Sequence, residues 1–213
     1  MGQTLAELLD AAAEGRFPPA DGGTTVVPQP GPRDAGVVAF SAHSVVFVDD
    51  DPDWVYDTLK TIDSDPLAAT MHPRFLAALL DRTGRVMDTI DLLTVAPALA
   101  GPPPLPLREL ADPGHPRVVR ARRHRDDVRV WAADGGIVAL GRGVAGRWEA
   151  AVEVDPDTPH PGLGRALAVA ARHLVPPGQP VWAQQAAGHA RSVRAFQAAG
   201  FRPVGAEALL VAP

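Results

Sequence analysis

Apolar residues spaced three and four positions apart predict amphipathic helices in both halves of the chain. At the first helix, Thr4 and Glu7 have the spacing of a capping box, and Gly15 suits the residue that ends it. Before the second, Asp51 and Pro52 form an N-cap followed by proline at the first helical position. The predicted helices cover residues 5–14, 52–59, 73–82, 116–124, 163–174 and 190–199.

Short runs rich in β-branched and aromatic residues predict strands between these helices. The first two runs suit a hairpin, and the three runs between residues 128 and 154 suit an antiparallel meander. The proline- and glycine-rich segment Pro18–Pro32 is predicted to be a loop. The predicted strands cover residues 37–40, 44–48, 90–95, 128–132, 137–140, 148–154, 181–184, 202–205 and 208–211.

The segment Ala100–Pro106 is too rich in proline for a helix or a central strand and predicts a semi-rigid connector. It divides the chain into an N-terminal α/β region, residues 1–100, and a second domain, residues 101–213. The alternative is one continuous domain that a proline-rich loop crosses.

The composition is that of a folded protein, with 46% hydrophobic residues, 21% charged residues and a net charge of −5. This acidity argues against nucleic-acid binding, and no apolar run approaches the ~20 residues of a membrane span. The sequence has no cysteine, which excludes disulfides and thiolate ligands, and its histidines show no metal-ligand spacing. We expect a bacterial, cytoplasmic protein, because the N-terminus lacks the features of a signal peptide and the composition resembles a high-GC proteome.

The stretch from Pro159 to Leu167 carries the clearest chemical signal. A strand-like run, residues 148–154, precedes this stretch, and a helix-like run, residues 163–174, begins within it. Gly162 and Gly164 allow backbone N–H groups at the helix N-terminus to approach a phosphate, where the helix dipole also favours negative charge. The sequence therefore predicts a phosphate-bearing cofactor near residue 162.

This order of elements, together with Pro159-His160-Pro161-Gly162-Leu163-Gly164, resembles the GNAT superfamily of N-acetyltransferases. The family motif, Gln/Arg-x-x-Gly-x-Gly/Ala, is matched at both glycines and departs from the pattern at Pro159. A second segment, residues 189–201, is similar to the family's Asn-x-x-Ala/Ser-x-x-x-Tyr-x-x-x-Gly-Phe. It matches at Ser192, Gly200 and Phe201, whereas His189 replaces the asparagine and Phe196 the tyrosine.

The resemblance covers residues 105–213 and implies a mixed α/β (α+β) fold, in which helices flank a mostly antiparallel central sheet. The N-terminal α/β region is an addition to that fold. The implied activity is transfer of an acetyl group from acetyl-coenzyme A to a primary amine of a small molecule or peptide. The implied cofactor-binding residues are Val152, Val154, His160, Gly162, Leu163, Gly164, Arg165, His189, Ser192 and Phe196.

Glu149 and Glu153 share one face of the third meander strand and are the candidates for the base that takes the acceptor's ammonium proton. Counting back from Gly162 places the family's usual position at Trp148, so that Glu149 needs a β-bulge to enter the site. Glu153 is the second choice. For each, a solvent-facing glutamate on a half-exposed sheet is the alternative.

Basic residues between positions 117 and 125 either approach the 3′-phosphate of coenzyme A, meet an acidic partner or form a solvated helix face. These basic residues are Arg117, Arg120, Arg122, Arg123 and Arg125.

Two other functions remain open. A non-catalytic module that senses acyl-coenzyme A is favoured by Phe196, which cannot donate a proton, and by the altered loop. A dinucleotide oxidoreductase is disfavoured, because the third Rossmann glycine is missing and a meander precedes the loop. A homodimer is also left open.

Overall fold

The computed structural model describes residues 2–111, 114, 116–157 and 161–213, and only the backbone of Arg117. Residue contacts divide the chain into two compact units, Met1–Leu92 with Val204–Pro213, and Leu93–Pro203. This division differs from the predicted boundary between residues 100 and 101. The proline-rich segment lies within the second unit, where His173 Nδ1 is 3.1 Å from the carbonyl oxygen of Gly101.

The described residues form seven α-helices and ten strands. The helices are α1 Leu5–Ala13, α2 Pro52–Lys60, α3 Pro66–Ala69, α4 Pro73–Thr83, α5 Pro116–His124, α6 Leu163–Leu174 and α7 Ala190–Ala198. The strands are β1 Thr24–Val27, β2 Asp34–Phe40, β3 His43–Phe47, β4 Ile90–Ala96, β5 Arg108–Glu109, β6 Asp126–Ala133, β7 Gly136–Arg142, β8 Trp148–Val154, β9 Val181–Ala186 and β10 Arg202–Val211.

In the first unit, β2 lies between β3 and β10 and is antiparallel to both, while β1 runs parallel to β3. The hairpin of β2 and β3 confirms the predicted pairing. One face packs against α2 and α4, with a buried core that includes Val37, Val46, Phe75, Leu79 and Leu210. The capping box of Thr4 and Glu7 is also formed at α1.

Two predictions for this unit are wrong, and one of its helices was not predicted. The predicted loop Pro18–Pro32 contains β1, because the short β-branched run Thr24–Val27 finds a partner in β3. The helix α3, with Asp65 as its N-cap, has no predicted counterpart. The two predicted closing strands are one continuous strand, β10, because Gly205 has no Cβ that would overlap the backbone of Ala39.

In the second unit, β6, β7 and β8 form the predicted antiparallel meander, and β5 extends it beside β6. The helix α6 covers one face, and its apolar residues Leu163, Leu167, Ala168 and Ala171 enter the core. The mixed α/β class, with mostly antiparallel pairing and flanking helices, is therefore confirmed. In the described part of the chain, no helix combines the length and apolar character that a membrane span requires.

The Asp91 side chain in the first unit is a candidate for a stabilising substitution. Burial, with the nearby charges of Glu207 and Asp88, raises its pKa from 3.8 to about 6. Because the folded chain binds this proton more tightly than the unfolded chain, stability falls as pH rises from 3.8 to about 6. We expect Asp91→Asn to raise the free energy of unfolding by about 1 kcal/mol at pH 8, since water screens this partly exposed group.

Urea unfolding at pH 8 and pH 4 tests this expectation, with the substitution Asp81→Asn at an exposed position of α4 as control. The gain from Asp91→Asn should be smaller at pH 4. An equal gain at both pH values would contradict the electrostatic cause.

Candidate functional site

The parallel strands β8 and β9 separate shortly after they begin to pair. Trp148 lies beside Val181 and Glu149 beside Trp182, and among the described residues the pairing ends there. On its other side β8 remains paired with β7 along its whole length. Residues 150–154 of β8 therefore have an open edge on the side of β9, which we call the β8–β9 opening.

Hydrogen bonds at both ends of the β7–β8 hairpin determine which backbone groups face this opening. The N–H of Gly143 donates to the carbonyl of Arg147 at 2.9 Å, and that of Asp155 donates to Gly135 at 2.8 Å. Because the bonding direction alternates along an antiparallel strand, the backbone N–H and C=O groups of residues 149, 151 and 153 point towards β7. The N–H and C=O groups of Val152 and Val154 consequently point into the opening.

The helix α6 follows β8 through the loop at the wide end of the opening. Gly162 is its N-cap, with a φ of 85°, and makes no side-chain cap. The first N–H bonded within the helix is that of Ala166, which donates to Gly162 at 3.0 Å. The N–H groups of Leu163, Gly164 and Arg165 thus have no acceptor within the helix, and they lie at the positive end of the helix dipole.

The other predicted cofactor contacts around α6 have different surroundings. Arg165 is exposed on the first turn, whereas the Leu163 side chain is buried, so that only its backbone is accessible. The predicted contact His160, with its neighbour Pro159, lies outside the described residues.

At the start of α7, His189 forms the N-cap. Its Nδ1 accepts the backbone N–H of Ser192 at 3.1 Å, which places the proton of the neutral ring on Nε2. The Phe196 side chain is 3% exposed and lies edge-to-face against Phe201, with ring centroids 4.9 Å apart. Phe196 therefore belongs to the core, whereas His189 stands at the surface.

Glu149 is the centre of a buried ion cluster at the narrow end of the opening. Its carboxylate accepts hydrogen bonds from Arg147 Nε at 2.8 Å, Arg125 Nε at 3.1 Å and the Val144 N–H at 3.2 Å. The side chains of Glu149 and Arg147 are each 3% exposed, and that of Arg125 is 12% exposed. The Arg147 guanidinium also lies over the Trp182 ring, 5.2 Å from its centroid.

Burial acts to raise the pKa of Glu149, but the charges of Arg147 and Arg125 and the hydrogen bonds outweigh it. The pKa of Glu149 therefore lies below its ordinary value. A carboxylate in this state has low affinity for a proton and little free lone-pair capacity. These properties suit a group that orients arginines better than one that removes a substrate proton.

Among solved structures, this chain resembles several acetyltransferases. A GCN5-related N-acetyltransferase from Kribbella flavida is 18% identical, with a TM-score of 0.42 over 65% of this chain and 63% of that one. Another from Sphaerobacter thermophilus is 14% identical, with a TM-score of 0.39 over 64% and 55%, respectively. A tandem GNAT protein from the clavulanic acid biosynthesis pathway is 16% identical, with a TM-score of 0.40 over 64% and 57%.

These proteins carry the family name that the sequence motifs predict. This chain spans less than two thirds of the length of each of the three. No family model matches the sequence, and no curated protein matches it. At these TM-scores the likeness is a resemblance, and the functional assignment rests on the site itself.

The predicted β-bulge that would redirect Glu149 is absent from β8, which pairs with β7 in continuous register. The register shift of this meander lies instead in β6, between Asp126 and Arg129. Glu149 reaches its partners because the turn after β7 has Gly143 directly against the carboxylate. The other candidate, Glu153, is half-buried on β8 beside Ile137.

Gly143 leaves the space that the Glu149 carboxylate occupies. A Cβ at this position would overlap that carboxylate, so we expect Gly143→Ala to lower the free energy of unfolding by about 1–3 kcal/mol. Denaturant unfolding measures the change, and Gly188→Ala is the control because open space surrounds Gly188. Equal stabilities of the two variants would show that the carboxylate moves without cost.

Sequence patterns did not identify Arg147 as a site residue. Arg125 was grouped with a basic helix face, although it lies just beyond α5 and its backbone N–H bonds to Ala121 at 3.0 Å. Arg125 and Glu149 are 24 residues apart in the sequence, and the meander brings them together. Helical periodicity contains no information about such a pairing.

Among the described residues, no group of three or more His, Asp or Glu side chains is arranged to hold a metal ion.

Proposed function

We propose that this chain is an acyltransferase of the GNAT type. It binds acetyl-coenzyme A in the β8–β9 opening and transfers the acetyl group to a primary amine of a small molecule or peptide. The observation that carries the proposal is the combination of an open strand edge with an uncapped helix N-terminus that follows the same strand. A cofactor with an amide-containing arm and a pyrophosphate needs both features.

The residues present fit such a cofactor. The N–H and C=O groups of Val152 and Val154 suit the amide groups of a pantetheine arm, in the manner of an added strand. The N–H groups of Leu163, Gly164 and Arg165 suit the pyrophosphate, and the exposed Arg165 guanidinium adds a charge-assisted contact. The bound thioester would supply an activated acyl group.

The chain's own task is to hold the amine in place and to accept its proton. Glu153 shares the strand face of Glu149 and lies nearer to the cofactor contacts. We infer that Glu153 takes the proton, directly or through a water molecule. Glu149 then acts as a positioning residue for Arg125 and Arg147. That Glu149 is itself the base stays a prediction.

Calorimetric titration with coenzyme A tests the binding step. Transfer of labelled acetyl groups from acetyl-coenzyme A to a panel of primary amines tests the reaction. Binding together with transfer supports the enzyme, whereas binding without any transfer or hydrolysis would favour the sensing module. The buried position of Phe196 is compatible with both outcomes, because it supplies no proton donor in either. Failure to bind coenzyme A would exclude both.

A further inference from the structure

A groove of about 710 Å³ lies where α5 ends and β6 begins. Its lining residues are Arg122, Arg125, Asp126, Asp127, Val128 and Arg129. Its volume is within the range of small-molecule sites. The bulge in β6 forms part of its wall, and Asp127 there has a φ of 49°, a conformation that non-glycine residues seldom adopt.

Arg125 is the least exposed cation of this groove, with 12% of its side chain exposed against 57% for Arg129. Its Nε is held by Glu149, and its Cβ lies close against Gly141, where a side chain would not fit. Among the described residues, the hydrogen bond of this guanidinium is the one from Nε to Glu149, and Arg125 lines the groove. A guanidinium fixed at Nε that presents its remaining donors to a groove is preorganised to bind a carboxylate or a phosphate.

The other charged residues of the groove have different roles. Arg129 is already engaged, because Glu109 holds its Nε and Nη2 at 2.8 Å each. Arg122 is exposed and adds a second positive charge. Asp126 and Asp127 also line the groove. Arg125, with Arg122 beside it, is therefore the part of the lining that suits an anionic group.

The ion cluster connects this groove with the proposed acyl site. Arg125 bonds to Glu149, and Glu149 is the last β8 residue that pairs with β9 before the opening begins. The groove and the narrow end of the opening are therefore linked through the Arg125–Glu149 ion pair.

We propose that the acceptor is an amine that also carries an anionic group, a carboxylate or a phosphate, and that Arg125 binds this anionic group. This inference rests on the proposed function, because that function makes the amine the acceptor of the acetyl group. Glu149 acts through Arg125 by fixing its orientation, as a positioning residue.

Three probes that share an aminopropyl chain and differ only in the group at its end test the proposal: propylamine, 4-aminobutanoate and 3-aminopropylphosphonate. Calorimetry measures their binding, and acetyl transfer gives kcat/KM for each. We expect the wild-type protein to prefer the anionic amines, and the ratio of the last two separates carboxylate from phosphate recognition. Arg125→Gln should weaken binding of the preferred anionic probe, relative to binding of propylamine by the same variant, by about ten- to a hundredfold.

Arg125→Lys should recover only part of the preference, because lysine keeps the charge and loses the planar fork. The matched control is Arg120→Gln, which removes an exposed charge of α5 that does not line the groove. Equal losses in Arg120→Gln and Arg125→Gln would overturn the proposal, as would a wild-type protein without preference for the anionic amines.

Arg125→Gln leaves a buried carboxylate short of one partner, and this could unfold the chain. Arg125→Lys keeps a positive charge beside Glu149, so a reduced preference of this variant for the anionic amines tests the proposal without that loss of a partner. A lack of coenzyme A binding would overturn the proposed function. Binding of 4-aminobutanoate or 3-aminopropylphosphonate that depends on Arg125 would still support the anion site in that case.

Discussion

Gly164→Asp should abolish coenzyme A binding, with a loss of affinity of about 100-fold or more. The substitution places a negative charge in the first turn of α6, beside the N–H groups proposed to hold the pyrophosphate. Two like charges about 4 Å apart repel by about 4 kcal/mol near a protein surface, which exceeds the ~2.7 kcal/mol of a 100-fold change. Calorimetric titration with coenzyme A measures the effect.

Two control variants separate charge from shape at this position. A Cβ at Gly164 would lie 3.6 Å from Val154 Cγ2 and 3.8 Å from Ala195 Cβ, so the fold accepts Gly164→Ala. Gly164→Asn matches the aspartate in size without its charge, and both controls should retain most of the affinity. The introduced aspartate interacts favourably with the helix dipole, so the melting temperature of Gly164→Asp should not fall. Unchanged affinity in Gly164→Asp would remove the phosphate assignment.

Glu149→Gln should lower both stability and turnover, and alkaline pH should not restore the turnover. The substitution leaves Arg147 and Arg125 without their buried counter-charge, and breaking such a group typically costs about 3–5 kcal/mol. If the glutamate only orients the two arginines, free amine at high pH cannot replace it. If it were the base, turnover would recover as the free amine accumulates.

The pH dependence of stability gives an independent readout. The pKa of Glu149 lies below its ordinary 4.5, so the unfolded chain binds the proton more readily than the folded chain. The stabilisation by this carboxylate is therefore present above pH 4.5 and is lost as pH falls through the folded-state pKa. Glu149→Gln should lack this acid-dependent loss. The control Glu153→Gln should keep the stability profile and, as the proposed base, show the alkaline recovery of turnover.

The sequence by itself determined the helices and strands whose ends carry local signals. The helix α6 has its predicted bounds, Leu163–Leu174, because glycine precedes it and its apolar residues repeat with helical periodicity. Gly84 ends α4 in the left-handed conformation that glycine favours, as its place in the sequence indicates. The meander and the order strand, glycine loop, helix were also predictable, and with them the mixed α/β class.

Only the tertiary structure decided where these elements meet. The separation of β8 from β9 after Glu149 and Trp182 depends on the directions of these two strands, and no local sequence pattern specifies those directions. The cluster of Arg125, Arg147 and Glu149 forms because the hairpin turn and the end of α5 converge on one carboxylate. From the sequence, Glu149 was a choice between a base and a solvent-facing side chain. The charges of two guanidinium groups lower its pKa although burial acts to raise it, and this balance gives the residue a third role.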